Sequence, residues 1–179
     1  MATRATYTFE DSSGEHVIYK HYDGYPAGAL AWIYNALEYS WDLPRFEADE
    51  FASAFCVGVK VSNQRDNARS LTYFEERGLS VPDYMANPCH GGGVRLFKKW
   101  DQAWDIEYTY RVTCKDGALW VEGWETRGGF GGEPFHKGTR VVNGQLFDAI
   151  KASEGTPATW LFDAGKLAGI DDSETGGEK

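Results

Sequence analysis

The sequence is poor in the residues that build metal and disulfide sites. It holds three cysteines and four histidines in 179 residues. Cys56, Cys89 and Cys114 are odd in number and lack paired spacing, so no disulfide framework is expected. No Cys-x-x-Cys or His-x-x-x-His pattern occurs, which removes the usual zinc signatures, and no cofactor is expected. No apolar run approaches the roughly 18 residues of a membrane span. Met1 to Thr8 lacks the apolar stretch of a signal peptide, so a cytoplasmic chain is expected. Bases are scarce too, with 18 Lys and Arg against 27 Asp and Glu, net −9. Direct nucleic-acid binding needs clustered bases and is not expected. The acidic balance suits solubility, or a partner with a basic surface.

Rings, by contrast, are abundant. Aromatic residues make up 15% of the chain, with seven Trp and ten Tyr. This excludes a disordered chain and exceeds what a core of this size needs. Trp100, Trp104, Trp120 and Trp124 are the candidates for an exposed partner surface, because Trp joins apolar area to a polar tip. Charge is uneven: residues 1–60 carry net −5, residues 61–120 net 0 and residues 121–179 net −4. The middle is the best place for an anionic ligand.

Periodicity predicts an α+β domain over residues 1–170, followed by a disordered acidic tail, 171–179. Its antiparallel sheet combines an amino-terminal hairpin and a central meander, packed by two or three helices. Thr6 to Phe9 and His16 to Tyr22 form the hairpin around Asp11-Ser12-Ser13-Gly14. Ala27 to Tyr39 reads as a helix with Leu30, Ile33 and Leu37 on one stripe. Trp32 lies off that stripe. Phe46 to Lys60 reads as a second helix, with Glu47, Asp49 and Glu50 at its favourable end. Asn63 to Arg69 is polar and turn-like, Leu71 to Arg77 a short helical turn, and Val81 to Gly93 a long connection. The meander runs from Val94 through the alternating Ile106 to Val112, turns at Cys114-Lys115-Asp116-Gly117 and returns over Ala118 to Trp124. A glycine loop covers Arg127 to Gly132. Arg140 to Val142 adds a strand, Gln145 to Ala152 a short helix, and Ala158 to Leu167 a last helical or extended segment.

Few constellations invite bond chemistry. His90-Gly91-Gly92-Gly93 matches the oxyanion loop of lipase-type hydrolases, but no Gly-x-Ser-x-Gly elbow follows. Cys89 and His90 are adjacent, and adjacent side chains rarely face each other as nucleophile and base must. The 127–132 loop carries neither Gly-Lys-Ser/Thr nor a dinucleotide fingerprint. The most distinctive piece is Tyr19-Lys20-His21-Tyr22-Asp23-Gly24-Tyr25-Pro26, at a strand-to-helix junction. The helix amino terminus offers backbone N–H groups to an anion, and the rings offer stacking. Tyr19, His21, Tyr22, Asp23 and Tyr25 are therefore candidate binding residues, with Arg95, Arg65 or Arg69 to reach phosphates. The plainer alternative is that these tyrosines pack the hairpin on the first helix.

Together with Met1 to Thr6 and Trp41-Asp42-Leu43-Pro44-Arg45-Phe46-Glu47-Ala48-Asp49-Glu50-Phe51, that piece resembles a family of small phage and prophage proteins. Gly91 to Leu96 and Asp105 to Tyr110 fit it as well, so the resemblance covers roughly residues 1–125. It brings no catalytic residues. It implies a phage accessory gene, of the kind that blocks host defences. The resulting expectation is a non-enzymatic, anti-CRISPR-like inhibitor in the host cytoplasm. It would bind a host protein, such as a nucleic-acid-binding defence complex, through an acidic, aromatic surface. A cyclic-nucleotide sponge and an enzyme of unrecognised type are the alternatives. A homodimer is left open.

Overall fold

The computed structural model describes residues 3–81, 93–102, 105–129 and 134–153. Over these residues the α+β class holds: six strands form one mostly antiparallel sheet, packed by three helices. The chain order is β1 (Ala5–Glu10), β2 (Glu15–Lys20), α1 (Pro26–Ala36), α2 (Ala48–Glu76), β3 (Val94–Phe97), β4 (Tyr108–Lys115), β5 (Ala118–Arg127), β6 (His136–Gln145) and α3 (Leu146–Ser153). The order in the sheet is β3-β2-β1-β4-β5-β6.

The amino-terminal hairpin forms as its alternation predicts, pairing Ala5 with Lys20 and Glu10 with Glu15. Only β4, β5 and β6 make the meander. β3 leaves it and pairs with β2 at the far edge, while β4 pairs parallel with β1. Strand alternation reports which face a residue takes and says nothing about which neighbour it chooses. The Lys115–Ala118 turn places Asp116 and Gly117 at φ 51° and 79°. Both central residues are left-handed, which matches the twist of a two-residue hairpin.

β1 is the keystone, with Ala5 to Phe9 all buried. Tyr7 and Phe9 point to the helices. Tyr7 lies 4.6 Å from Phe55 between ring centroids, and Phe9 lies 5.4 Å from Phe51 and 5.3 Å from Phe55. Each such ring removed from water contributes about 2–3 kcal/mol. Thr6 and Thr8 point to the opposite face, where the Thr6 hydroxyl meets that of Thr109 at 3.0 Å. β3 and β4 stand on opposite sides of the β1–β2 pair, and the helices fill one face. The connection through residues 98–102 and 105–107 therefore crosses the other, and Val17, Tyr19 and Thr109 are buried there. Arg4 anchors it, pairing with Asp105 at 2.8 Å and accepting the Glu107 amide on its carbonyl at 3.0 Å.

The second helix is far longer than its apolar stripe. It runs unbroken to Glu76, so the turn-like reading of Asn63 to Arg69 is corrected. No residue after Val59 is buried, yet no Gly or Pro interrupts Val59 to Glu76. Gln, Arg, Ala and Leu there keep a solvated helix intact without a core to pack on. Arg65 reaches Glu38 beyond α1 at 3.6 Å. Residues 82–92, Trp104, the 130–132 part of the glycine loop, the 158–167 segment and the 171–179 tail lie outside the described residues. No helix among the described residues is long and apolar enough to cross a membrane.

One carboxylate fastens two elements. The Ser13 amide and hydroxyl donate to Asp11 Oδ1 at 2.7 and 2.6 Å, closing the β1–β2 turn. The Ala48 amide donates to Asp11 Oδ2 at 2.7 Å, capping α2 from across the chain. These donors, the Ser13 hydroxyl first, hold the Asp11 carboxyl at about 2. Because its folded value is depressed, its contribution is present above the ordinary carboxylate range and lost as pH falls towards 2. Asp11→Asn is expected to lower the melting temperature at pH 7 by roughly 2–4 °C. It should also flatten the loss of stability between pH 4 and about 2. Thermal melts across that range check both.

Candidate functional site

The distinctive tyrosine-rich segment is split by the sheet. Tyr19 points to the face away from the helices, where it shares a 2.9 Å hydrogen bond with His21 Nδ1 and stacks 5.0 Å from Phe97. His21 meets Tyr22 edge-on at 4.6 Å, and Arg95 pairs in register with Tyr19. These four residues gather at the β2–β3 end. Asp23 takes φ 56° and turns the chain back under α1, where Gly24 accepts from the Tyr110 hydroxyl at 2.8 Å. Tyr25 heads α1 with Pro26 behind it. Among the described residues the segment thus packs hairpin against helix, and its rings divide between the two faces of the sheet.

Lys20, in the same segment, is the residue that sequence reasoning passed over. It is 1% exposed, and its ammonium sits 4.1 Å from the centre of the Trp32 ring while donating to the Tyr22 carbonyl at 2.7 Å. Burial drives its pKa down to about 8, and Asp23 opposes the shift. Trp32, off the apolar stripe of α1, is the ring that covers it. An apolar-facing Lys in an otherwise alternating strand was the available signal.

Among the described residues, two clefts lie beside the sheet. The first, about 590 Å³, lies between α1, β6 and α3; Tyr25, Leu30, Val142 and Asp148 are among its walls. The second, about 790 Å³, lies at the end of β4 and β5 beside Arg4, Glu107, Tyr108, Glu125 and Arg127. Burial raises the Tyr108 pKa, with Glu125 and Glu107 adding to it. Arg65, Arg69 and Arg95 line neither cleft. Arg69 instead pairs with Asp66 at 3.7 Å. Among the described residues no three His, Cys, Asp or Glu side chains gather as metal ligands would. Cys56 and Cys114 are free.

The tryptophans do come together. Cross-strand pairing places Trp120 beside Thr113 and Trp124 beside Thr109, on the face that carries no helix. Both are half-buried. Lys115 stands 4.7 Å over Trp120, Lys137 stands 4.0 Å over Trp124 and 5.9 Å from Trp100, and Arg140 stands 5.7 Å from Trp124. A charge ladder runs between them. Arg111 grips Glu10 with two 2.6 Å hydrogen bonds and approaches Glu122 at 3.7 Å, and Glu122 lies 3.9 Å from Arg140. Burial, then Arg111, pulls the Lys137 pKa down. The rings on this face are therefore dressed by cations, and Glu10 and Glu122 are paired there. Acid and exposed ring coincide elsewhere: Trp41, 39% exposed and covered by Arg45 at 3.2 Å, adjoins Asp42 in sequence, Glu47 through Arg45, and Glu50, which accepts a hydrogen bond from its backbone. Compared with protein-family models, curated proteins and solved structures, the chain matches none.

A buried amine makes a pH test. The folded Lys20 amine releases its proton near 8, against an ordinary value of 10.5. The unfolded chain therefore binds more protons between these values, and this group's contribution rises with pH. The difference in unfolding free energy between wild type and Lys20→Met removes the titration of Cys56 and the tyrosines. It should shift in favour of wild type by about 2 kcal/mol from pH 8 to 10. At pH 7 the Met variant should be at least as stable, since it carries no buried charge. Urea titrations at the three pH values check this.

Proposed function

We propose that the chain is a non-enzymatic binding protein that engages a partner protein through the helix-free face of its sheet. One observation carries the reading: three tryptophans, Trp100, Trp120 and Trp124, share that face with Lys115, Lys137, Arg111 and Arg140. Trp and Arg are the residues that most often dominate interface energies, and half-buried rings lose little entropy on binding. The rigid strands beneath them hold the pattern in place. The resemblance of the Tyr19–Pro26 and Trp41–Phe51 segments to phage proteins supports the biological setting: an accessory protein in a host-cell cytoplasm that blocks a defence complex, as anti-CRISPR proteins do. The exposed acids around Trp41 suit a second contact with a basic nucleic-acid channel.

The test is capture of a partner from host lysate by the immobilised chain. Trp120→Ala with Trp124→Ala should weaken capture by about 30-fold or more, equivalent to roughly 2 kcal/mol. A melting temperature close to wild type guards against simple unfolding. Capture left unchanged by the double variant would remove this face from the interaction.

A further inference from the structure

We infer that the partner meets the helix-free face with an acidic surface: carboxylates that take Lys115 and Lys137, beside apolar groups that lie on Trp120 and Trp124. This deepens the reading of that face as the binding surface and rests on it. The layout comes from the strands. Trp120, Glu122 and Trp124 share the face at alternate positions of β5, so the two Trp Cα atoms stand about 13 Å apart. Lys115 pairs with Ala118 and Lys137 with Thr126, which places one lysine beyond each ring. Both lysines are exposed, yet both lean inward, to 4.7 Å over Trp120 and 4.0 Å over Trp124.

The charges of this face fall into two groups. Arg111 is held by Glu10 and Glu122, and Arg140 has Glu122 at 3.9 Å, so these four balance. Lys115 and Lys137 are the surplus. Among the described residues neither reaches a carboxylate within ion-pair distance, and each ammonium rests on a ring. An ammonium carries three donors, and a ring leaves donors over for an oxygen. Arg111 weakens the Lys137 proton, and only Glu122, Glu10 and Glu15 act against it from longer range. An added carboxylate is therefore a favourable neighbour and an added cation is not. Lysines on an outer strand serve to keep an edge in water. Lys115 stands on β4, an inner strand, and guards no edge. Single-stranded nucleic acid also stacks on rings between cations. Its phosphates recur at every nucleotide and would meet Glu10 and Glu122 as well, against a net charge of −9. A protein surface can place carboxylates at the two lysines alone. The face thus selects the charge opposite to the one the whole chain attracts.

The test uses the full chain and fluorescein-labelled probes about twelve residues long, enough to span both rings. One peptide is built from Glu, Phe and Ser, a second has Lys for each Glu, and the third probe is an oligothymidylate. Fluorescence anisotropy at low salt should show the Glu peptide binding wild type at least ~10-fold more tightly than Lys115→Glu with Lys137→Glu. The Lys peptide should gain affinity for that variant. Lys115→Arg with Lys137→Arg should retain the Glu peptide, and Trp120→Ala with Trp124→Ala should weaken it severalfold. Arg69→Glu with Lys151→Glu, an equal change of net charge on the helices, should leave it unaltered. Melting temperatures confirm that each variant is folded. Absence of Glu-peptide binding, or an equal loss in the helix pair, would overturn the proposal. So would oligothymidylate binding more tightly than the Glu peptide and depending on the two lysines, since that gives the face to nucleic acid. If the Glu peptide fails while lysate capture still depends on Trp120 and Trp124, only the acidic chemistry is lost. If capture ignores the tryptophans while the peptide needs both rings and lysines, only the docking of that captured partner on this face is lost.

Discussion

The rings of Tyr7 and Phe9 against Phe55 and Phe51 join the sheet to its helices, and the rest of the geometry follows from that contact. With β1 covered on both faces, it becomes a central strand and needs a neighbour on each side. β2 arrives by hairpin and β4 by crossover. The helices occupy one face, so the connection to β4 must use the other. That crossing buries Val17 and Tyr19 on β2 and Thr109 on β4. Trp120 and Trp124, two and more strands away, are left half in water.

The same burial explains the odd position of Lys20. A strand register that puts Tyr7 and Ile18 against the helices also puts Lys20 there, because the side-chain period is two. The ammonium cannot turn to the other face without slipping the whole hairpin. It is accommodated by the Trp32 ring and the Tyr22 carbonyl, and its lowered pKa records the remaining cost. Nearby Asp23, in a left-handed conformation, turns the chain so that Tyr25 can start α1. What read as a cluster of binding residues is in large part the joint between hairpin and helix.

Two surfaces of opposite character result. The amino-terminal end of α2 carries Glu47, Asp49 and Glu50, where helix polarity favours negative charge, with Trp41 and Asp42 just before it. The β5–β6 ribbon exposes rings dressed by Lys and Arg. The net charge of −9 averages these and conceals the second. In the proposed binding role, the two surfaces would discriminate between partners by charge as well as by shape.

Much of the fold was legible in the residues: the hairpin around Asp11 to Gly14, the Lys115–Ala118 turn, the stripe of α1 and the short α3 all follow from local spacing and turn chemistry. The candidate site was legible only as a list. Local sequence determines which face of an element is apolar and where the chain reverses. It does not say that β3 crosses to the far edge, that α2 continues as a solvated rod past Val59, or that Asp11 caps a helix 37 residues away. Nor does it say that Lys137 and Arg140 come to rest on Trp124. Those outcomes depend on which surfaces compete for burial once the chain is compact, a contest between distant residues that only the tertiary structure decides.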